Sequence, residues 1–568
     1  MNNISTYLKK IFIISELKYR FFLFLFLTIL ASFIDIVNLA LIIPIVGVVL
    51  GDKTQNNFNL PILDSVEILF NGEQIILLFV IFFLLKSFFA IYIYKKIVEV
   101  KVNLQAKLRI DLLKKYQHIT HSDFISKETS YYIHNITNLV TIYSNGLLGL
   151  LRLITESLIV ITIMLYFIII FGLKIIPFLL ISFFIVLIYQ LLFKNKILNI
   201  AKKINIDSKS LIQTIKDMVM GIKEIKIAKK QKYFERLVSQ KAKNLAKNNL
   251  ISEIITFSPR YLIESFFVIF FFGFIFFNLN TLKNTDINII YIISTFLYAA
   301  FRIIPSLSVV SRSLTIMNNS VIATNILFED LYQNKNILSN FNLNKSVNWS
   351  FKQIKFNNVS FGYSNKNIFL NKLNFEINRG DKVLLLGNSG SGKSTIADLS
   401  LGFYMPTHGD ILINGNINNY DNIRNNSYYL SQNKLLFNET IFKNIILDKN
   451  INSYIDLDDN QKILYKRAIT ISNIEEMITS KPEREEYLIG DSGNHLSGGQ
   501  KQRICVARMI FEDREFNIMD ESTSEIHSEL EFEIYNNLIK DLNNEKTYIV
   551  ISHNKDLKNI FNKKILIT

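Results

Sequence analysis

The chain has 568 residues, of which 49% are hydrophobic and 46 are Phe, with a mean hydropathy of +0.25; this excludes one soluble core and calls for two or more domains. A single cysteine, Cys505, excludes an intramolecular disulfide, suits a reducing compartment and reads as a small buried residue. The net charge of +15 invites a nucleic-acid partner, but its placement along the chain argues for a membrane instead.

Residues 1–20 mix Lys9, Lys10, Glu16, Lys18 and Arg20 with apolar side chains and show no small-residue cleavage site. They read as an amphipathic helix on the inner membrane surface, not as a signal peptide. Six apolar segments follow, each near the roughly 20 residues that cross a bilayer: 21–50, 75–97, 147–170, 174–193, 262–277 and 287–310. The outer connections are short, whereas the inner ones, 98–146 and 194–261, are long, charged and helix-like. Residues 194–260 carry sixteen Lys and Arg, against Lys53 alone in 50–74. That asymmetry is the positive-inside pattern, and it places the basic charge against an anionic inner leaflet. Helices that run on past the bilayer are levers, and the turns 121–127 and 228–234 are candidate couplers to a cytoplasmic domain.

Ionisable residues inside these spans are costly and usually have partners or line a cavity. The spacing predicts i,i+4 ion pairs Arg152–Glu156 and Arg260–Glu264, and Asp35 is placed to pair with Lys86. Arg302 has no partner along its own helix and is a candidate for contacting an anionic headgroup; Pro305, a turn later, is placed to kink that helix. The Asn-, Lys- and Ser-rich stretch 333–350 then reads as a linker.

Beyond it the chain changes character. The apolar strand Lys382-Val-Leu-Leu-Leu386 runs into Gly387-Asn388-Ser389-Gly390-Ser391-Gly392-Lys393-Ser394-Thr395, a complete Walker A phosphate loop with a helix starting near Lys393. Its glycines admit close backbone approach, and its N–H groups and the helix N-terminus face phosphate. Lys393 is expected on the β- and γ-phosphates and Ser394 on Mg2+. Phe516-Asn-Ile-Met-Asp520-Glu521 reads as a Walker B strand, with Asp520 for the Mg2+ shell and Glu521 as general base toward water. Between them lies Leu496-Ser497-Gly498-Gly499-Gln500.

With these motifs in this order, the sequence resembles an ATP-binding cassette (ABC) transporter of the exporter type, with membrane and motor halves fused as a half transporter. The resemblance implies an all-α six-helix transmembrane domain (1–335) followed by an α/β P-loop ATP-binding cassette (336–568), with ATP and Mg2+ as cofactors. It implies that Tyr363 stacks on adenine, that Gln432 senses the γ-phosphate and Mg2+, and that His553 is the switch histidine. It further implies that Ser497, Gly498, Gly499 and Gln500 close over the nucleotide of a second half transporter, most simply a second copy in a homodimer. Gly490-Asp491-Ser492-Gly493 resembles the loop that touches the coupling turns across that dimer. Two features depart from the family. Its usual Ser-Ala-Leu-Asp is here Ser524-Glu525-Ile526-His527, and the chain ends at Thr568, where the family's final helices are expected to be missing or minimal.

For the cargo, Ser32-Phe-Ile-Asp35 with Ile42-Ile-Pro44, Pro259-Arg-Tyr-Leu-Ile-Glu264 and Arg302-Ile-Ile-Pro-Ser306 resemble bacterial lipid-linked oligosaccharide flippases. The expectation is flipping of an amphiphile with an anionic headgroup across the bacterial cytoplasmic membrane, aided by Lys86, Arg260 and Arg302. The alternatives are a peptide, lipid A-like or drug exporter, without an N-terminal protease domain because the first span begins near residue 21, or an ATP-gated regulator that does not pump. A soluble protein acting on nucleic acid is excluded by the six spans.

Overall fold

The computed structural model describes residues 2–16, 18–50, 72–171, 176–282, 286–333, 349–363, 368–388, 390–417, 420–523, 525–540, 545–552 and 554–567. The chain forms two compact units, Met1–Ile119 with Ser126–Ile337, and Thr120–Ile125 with Leu338–Thr568. The boundary expected at 335/336 lies outside the described residues.

Among the described residues, the secondary-structure elements of the first unit are helices. The expected spans 75–97, 147–170, 262–277 and 287–310 fall inside the helices Gly72–His118, Val140–Phe171, Gln231–Leu282 and Asp286–Phe328; 21–50 is covered by Lys18–Ala40 and Ile42–Leu50, and the part of 174–193 among the described residues lies in Ile176–Met220. Among the described residues, five helices are long and apolar enough to cross a membrane. The first span is not one rod: it breaks at Leu41, three residues before Pro44, which has no backbone N–H to donate to the Ala40 carbonyl and whose ring crowds that carbonyl. Pro305, by contrast, sits within the continuous helix Asp286–Phe328. The inner extensions are helical as expected, and a short helix, Ile222–Ile227, joins two of them. The second candidate coupler, 228–234, is a turn plus the start of Gln231–Leu282, with Ile227 and Tyr233 exposed.

The N-terminal helix Asn2–Ser15 forms, but its apolar face is not left to the membrane surface. Tyr7, Ile11 and Ile14 are buried in a cluster with Leu104, Leu108, Tyr143 and Leu327. Tyr7 and Ser320 share a hydrogen bond of 2.6 Å, Lys10 Nζ donates to Asn325 Oδ1 at 2.7 Å, and Tyr143 Oη donates to the Ile11 carbonyl at 3.1 Å. Docking of the last helix depends on Gly146, where a Cβ would lie only 2.0 Å from Ser320 Oγ. Small residues at such crossings let helices approach closely.

Burial also resolves the charges in the spans. Asp35 is 2% exposed and binds both Lys86 Nζ (2.5 Å) and Arg302 Nη2 (2.9 Å). Arg302 therefore has a partner, 267 residues away in sequence, which no periodicity along its own helix can reveal. Arg260–Glu264 forms at 2.7 Å, whereas Arg152 lies over the Tyr94 ring, 4.8 Å from its centroid, in place of the expected i,i+4 pair.

In the second unit, β1 (Gln353–Phe361), β2 (Leu370–Asn378) and β4 (His408–Ile413) form an antiparallel sheet in the order β2-β1-β4. A second sheet, with β3 (Lys382–Gly387), β5 (Ser427–Leu430), β6 (Phe516–Asp520), β7 (Thr547–Ile551) and β8 (Lys563–Ile567), is parallel in the order β5-β6-β7-β3-β8. Its central strands are apolar runs buried on both faces, as a helix-covered parallel sheet requires. Asn517, the one polar interruption in β6, is buried and donates to the Arg514 carbonyl at 2.9 Å. Cys505 is free and buried among helices over this sheet.

The buried face of the N-terminal helix gives a prediction. Ile11→Ala leaves a cavity costing about 2–5 kcal/mol locally, so tryptic cleavage at Lys9 and Lys10 in detergent-solubilised protein is expected to accelerate. Unchanged cleavage would show that this face is not packed.

Candidate functional site

The parallel sheet delivers its functional loops from the carboxyl ends of its strands, where doubly wound sheets bind ligands. The loop after β3 leads into the helix Lys393–Ser400, and Gly390 (φ +82°) and Gly392 (φ +94°) adopt left-handed backbone that side chains rarely take. Gly387 is held by crowding: a Cβ there would lie 2.6 Å from the Ile567 carbonyl oxygen and from Ser391 Oγ. Lys393 is buried and folds back, donating to the Gly387 and Asn388 carbonyls at 2.9 Å each. Ser389 lies outside the described residues.

At the end of β6, Asp520 is 4% exposed. Its Oδ2 accepts from Tyr429 Oη at 3.1 Å, while its buried Oδ1 has no hydrogen-bond partner. Burial pushes this carboxyl above the usual carboxylate range, against hydrogen bonds from Ser394 and Tyr429 that pull it down. Glu521 follows in left-handed backbone (φ +44°), uncommon for a residue with a Cβ and a frequent mark of an active site. Its Oε2 accepts from Gln432 Nε2 at 2.9 Å. The structure thus brings together Lys393, Ser394, Gln432, Asp520 and Glu521. The hydroxyl of Ser394 and the lone buried oxygen of Asp520 are hard oxygen donors, and a site that supplies few ligands and leaves the rest to water and phosphate suits Mg2+.

Tyr363 is exposed, hydrogen-bonds through its hydroxyl to Thr395 Oγ1 at 2.8 Å, and stacks on Phe369 with centroids 5.7 Å apart and planes 11° from parallel. It presents an aromatic face beside the phosphate loop. Ser497 caps a different helix, Gly498–Glu512, in a reciprocal capping box with Gln500. Gly498 and Gly499 pack against Glu525: a Cβ on Gly498 would overlap the Glu525 carboxylate, which is clasped by Lys434 two residues past Gln432. His553 lies outside the described residues. Its flanks are tied down by Glu531, which accepts from Ser552 Oγ (3.2 Å), Asn554 Nδ2 (2.8 Å) and Thr523 Oγ1 (2.7 Å).

Tyr429, Lys434 and Glu531 escape the sequence reading because none stands inside a motif, and Glu525, inside the 524–527 motif, owes its role to a contact with Lys434 that the motif does not reveal. Also within this unit, the helix His121–Ile125 sets the His121 ring 5.2 Å from Phe403 and 5.7 Å from Tyr404.

A strand–loop–helix phosphate cradle with a buried carboxylate and a paired glutamate defines a P-loop nucleotide-binding domain. Residues 370–524 match the ABC transporter family model, so the second unit is an ABC-transporter ATP-binding domain, fused to a domain of long apolar helices. A bacterial Atm1-family ABC exporter with ATP bound superimposes with a TM-score of 0.78 at 18% identity, over 97% of this chain and 94% of that one, so the whole chain has the exporter fold. Among curated relatives, the lactococcin-G-processing and transport ATP-binding protein LagD of Lactococcus lactis is 39% identical over 38% of this chain and 30% of its own. An ATP-dependent lipid A-core flippase of Haemophilus influenzae is 38% identical over 35% of this chain and 34% of its own. The mitochondrial iron-sulfur clusters transporter ATM1 of Candida glabrata is 32% identical over 42% and 32%. The chain spans about a third of the length of these curated relatives.

One further carboxylate titrates unusually. Burial, then the charge of Asp520, raise Asp398 from 3.8 to about 6. A folded-state pKa above the unfolded value means that the native protein holds this proton more tightly, so the stabilisation is full below pH 3.8 and is lost as pH rises through about 6. Asp398→Asn is therefore expected to raise the melting temperature of nucleotide-free protein at pH 7.5, with the difference vanishing toward pH 4. A constant difference across that range would assign the effect to packing.

Proposed function

We propose that the chain is a half transporter that pairs with a second copy and uses ATP binding and hydrolysis to export or flip an amphiphile by alternating access. The observation carrying this reading is the contact of Gln432 with Glu521 at 2.9 Å beside the phosphate loop and Asp520. In it Lys393 leaves its loop carbonyls for the β- and γ-phosphates, and Glu521, oriented by Gln432, accepts the proton of the attacking water. Ser394 and Asp520, with Gln432, would hold Mg2+, which would supply charge neutralisation on the phosphates. Tyr363 stacks on the adenine, and His553 contacts the γ-phosphate. Ser497, Gly498, Gly499 and Gln500 of each copy close over the other's nucleotide, and the turns 121–127 and 228–234 carry that closure to the spans. The packing of His121 on Phe403 and Tyr404 supports the first of these couplers.

The cargo we favour is a lipid-linked oligosaccharide or glycolipid crossing the bacterial cytoplasmic membrane. Support comes from the flippase-like phrases around Asp35, Arg260 and Arg302, and from the two cations Lys86 and Arg302 gathered on one carboxylate in the apolar region. The likeness to a lipid A-core flippase points the same way; the likeness to LagD favours a peptide as the second reading.

In proteoliposomes, Glu521→Gln is expected to reduce Mg2+-dependent ATP turnover by on the order of 10²–10⁴ while ATP still drives pairing of the cassettes. Undiminished turnover would remove Glu521 as the base. His527→Asp, which restores the family's usual residue, is expected to preserve or raise the rate; abolished turnover would show that the histidine has a role of its own.

A further inference from the structure

The inner end of the helical unit holds a buried carboxylate that neither the nucleotide site nor the cargo reading uses. Asp330 is 3% exposed and lies just beyond the helix Asp286–Phe328, on the chain's way to the linker. Its Oδ2 accepts from Tyr116 Oη at 2.7 Å and from Asn135 Nδ2 at 2.9 Å. Tyr131 Oη lies 3.0 Å from both carboxylate oxygens, and Lys127 Nζ is 3.5 Å from Oδ1. The donors bond one another too: Asn135 Nδ2 donates to Tyr116 Oη at 3.1 Å, and Lys127 sits over the Tyr131 ring, 4.2 Å from its centroid.

Where these donors come from is what matters. Tyr116 lies in the last turn of the helix Gly72–His118, four residues before the Thr120–Ile125 segment that belongs to the nucleotide-binding unit; Lys127 follows that segment by two residues, and Tyr131 and Asn135 come next. The chain leaves the helical unit for the other unit at 120–125 and again beyond 333, and one carboxylate binds residues on both sides of the first exit to a residue at the second. A second observation singles out the same spot. The two π-helical turns among the described residues are Asn135–Leu139 and Glu329–Gln333, and both meet at Asp330. Such turns are rare and concentrate at functional sites. Burial, followed by the neighbouring carboxylate, pushes the Tyr116 phenol well up, so it remains a donor across the physiological range.

We infer that Asp330 is a positioning residue for coupling: it fastens the start of the linker to the flanks of the 121–125 helix, so that the two exits move together when the cassette does. This rests on the ATP-driven reading above and names one of its working parts. Asp330→Asn keeps the shape, removes the charge, and replaces one acceptor oxygen with a donor facing three donors.

The test uses the full chain in liposomes, with two readouts. One is Mg2+-ATP turnover; the other is the ATP-dependent change in tryptic cleavage across the Lys-rich stretch 223–247 of the helical unit. Asp330→Asn is expected to keep turnover within about twofold of the parent and to lose the ATP-dependent change. Tyr116→Phe, which removes only the 2.7 Å donor, should lose part of it. A full ATP-dependent change in both variants would overturn the inference. Aggregation of both, or equal loss of turnover and response, would overturn it also, by making the cluster a fold requirement. Absence of any ATP response in the parent would instead defeat the transport reading itself.

Discussion

Everything in the nucleotide-binding unit is organised around burying one carboxylate at the end of an apolar strand. Moving Asp520 out of water is unfavourable unless its charge is met. The surrounding chain meets it incompletely, with the Tyr429 hydroxyl on one oxygen and no hydrogen-bond partner on the other. That incomplete satisfaction makes the spot competent to take a cation, and the cation in turn suits a phosphate held by the glycine loop. The sheet order puts β3 and β6 on either side of β7, so the phosphate loop and the carboxylate emerge at the same edge one strand apart. Such an edge is where a parallel sheet of this class receives its ligand.

The helical unit handles charge by the same rule with the opposite result. Asp35 gathers Lys86 and Arg302 from two other helices, and Asp330 gathers two phenols, an amide and an ammonium. In an apolar surround an unmatched charge is expensive, so each carboxylate becomes a fixed point where separate helices are joined. Asp520 is left partly unmatched toward a ligand and Asp35 sets one carboxylate against two cations, an excess of positive charge, whereas Asp330 is closed by the protein's own side chains. The difference separates a ligand site from a structural or mechanical one.

Much of the fold was legible because its determinants are local. The spans follow from hydropathy over about 20 residues, and the phosphate loop follows from glycines whose positive φ values at 390 and 392 only that residue tolerates easily. What escaped the sequence reading depends on partners far apart along the chain. Arg302 lacks a neighbour on its own helix and finds Asp35 267 residues earlier; the N-terminal helix finds Ser320 and Asn325 more than 310 residues later. An amphipathic pattern says that a face must be covered, without saying whether lipid or protein covers it. The Arg152–Glu156 expectation failed for a related reason: i,i+4 spacing permits an ion pair, but the Tyr94 ring offers the guanidinium a competing surface.

The departure at 524–527 also has a physical reading in the folded chain. Where the family has an alanine, Glu525 reaches between two elements of its own cassette, the Lys434 ammonium and the N-terminal turn of the helix Gly498–Glu512. A negative charge at a helix N-terminus is favourable, since the unsatisfied N–H groups there carry partial positive charge. The backbone N–H of Glu525 is held as well, donating to Gln502 Oε1 at 3.0 Å, one turn into the same helix. The longer side chain therefore adds a charged link between the segment after Gln432 and the signature helix, at a position where an alanine would contribute only its methyl group. Its consequence is a cassette in which the loop after β5 and the signature turn are connected within one chain, through a residue three positions beyond Ser522 and two before His527.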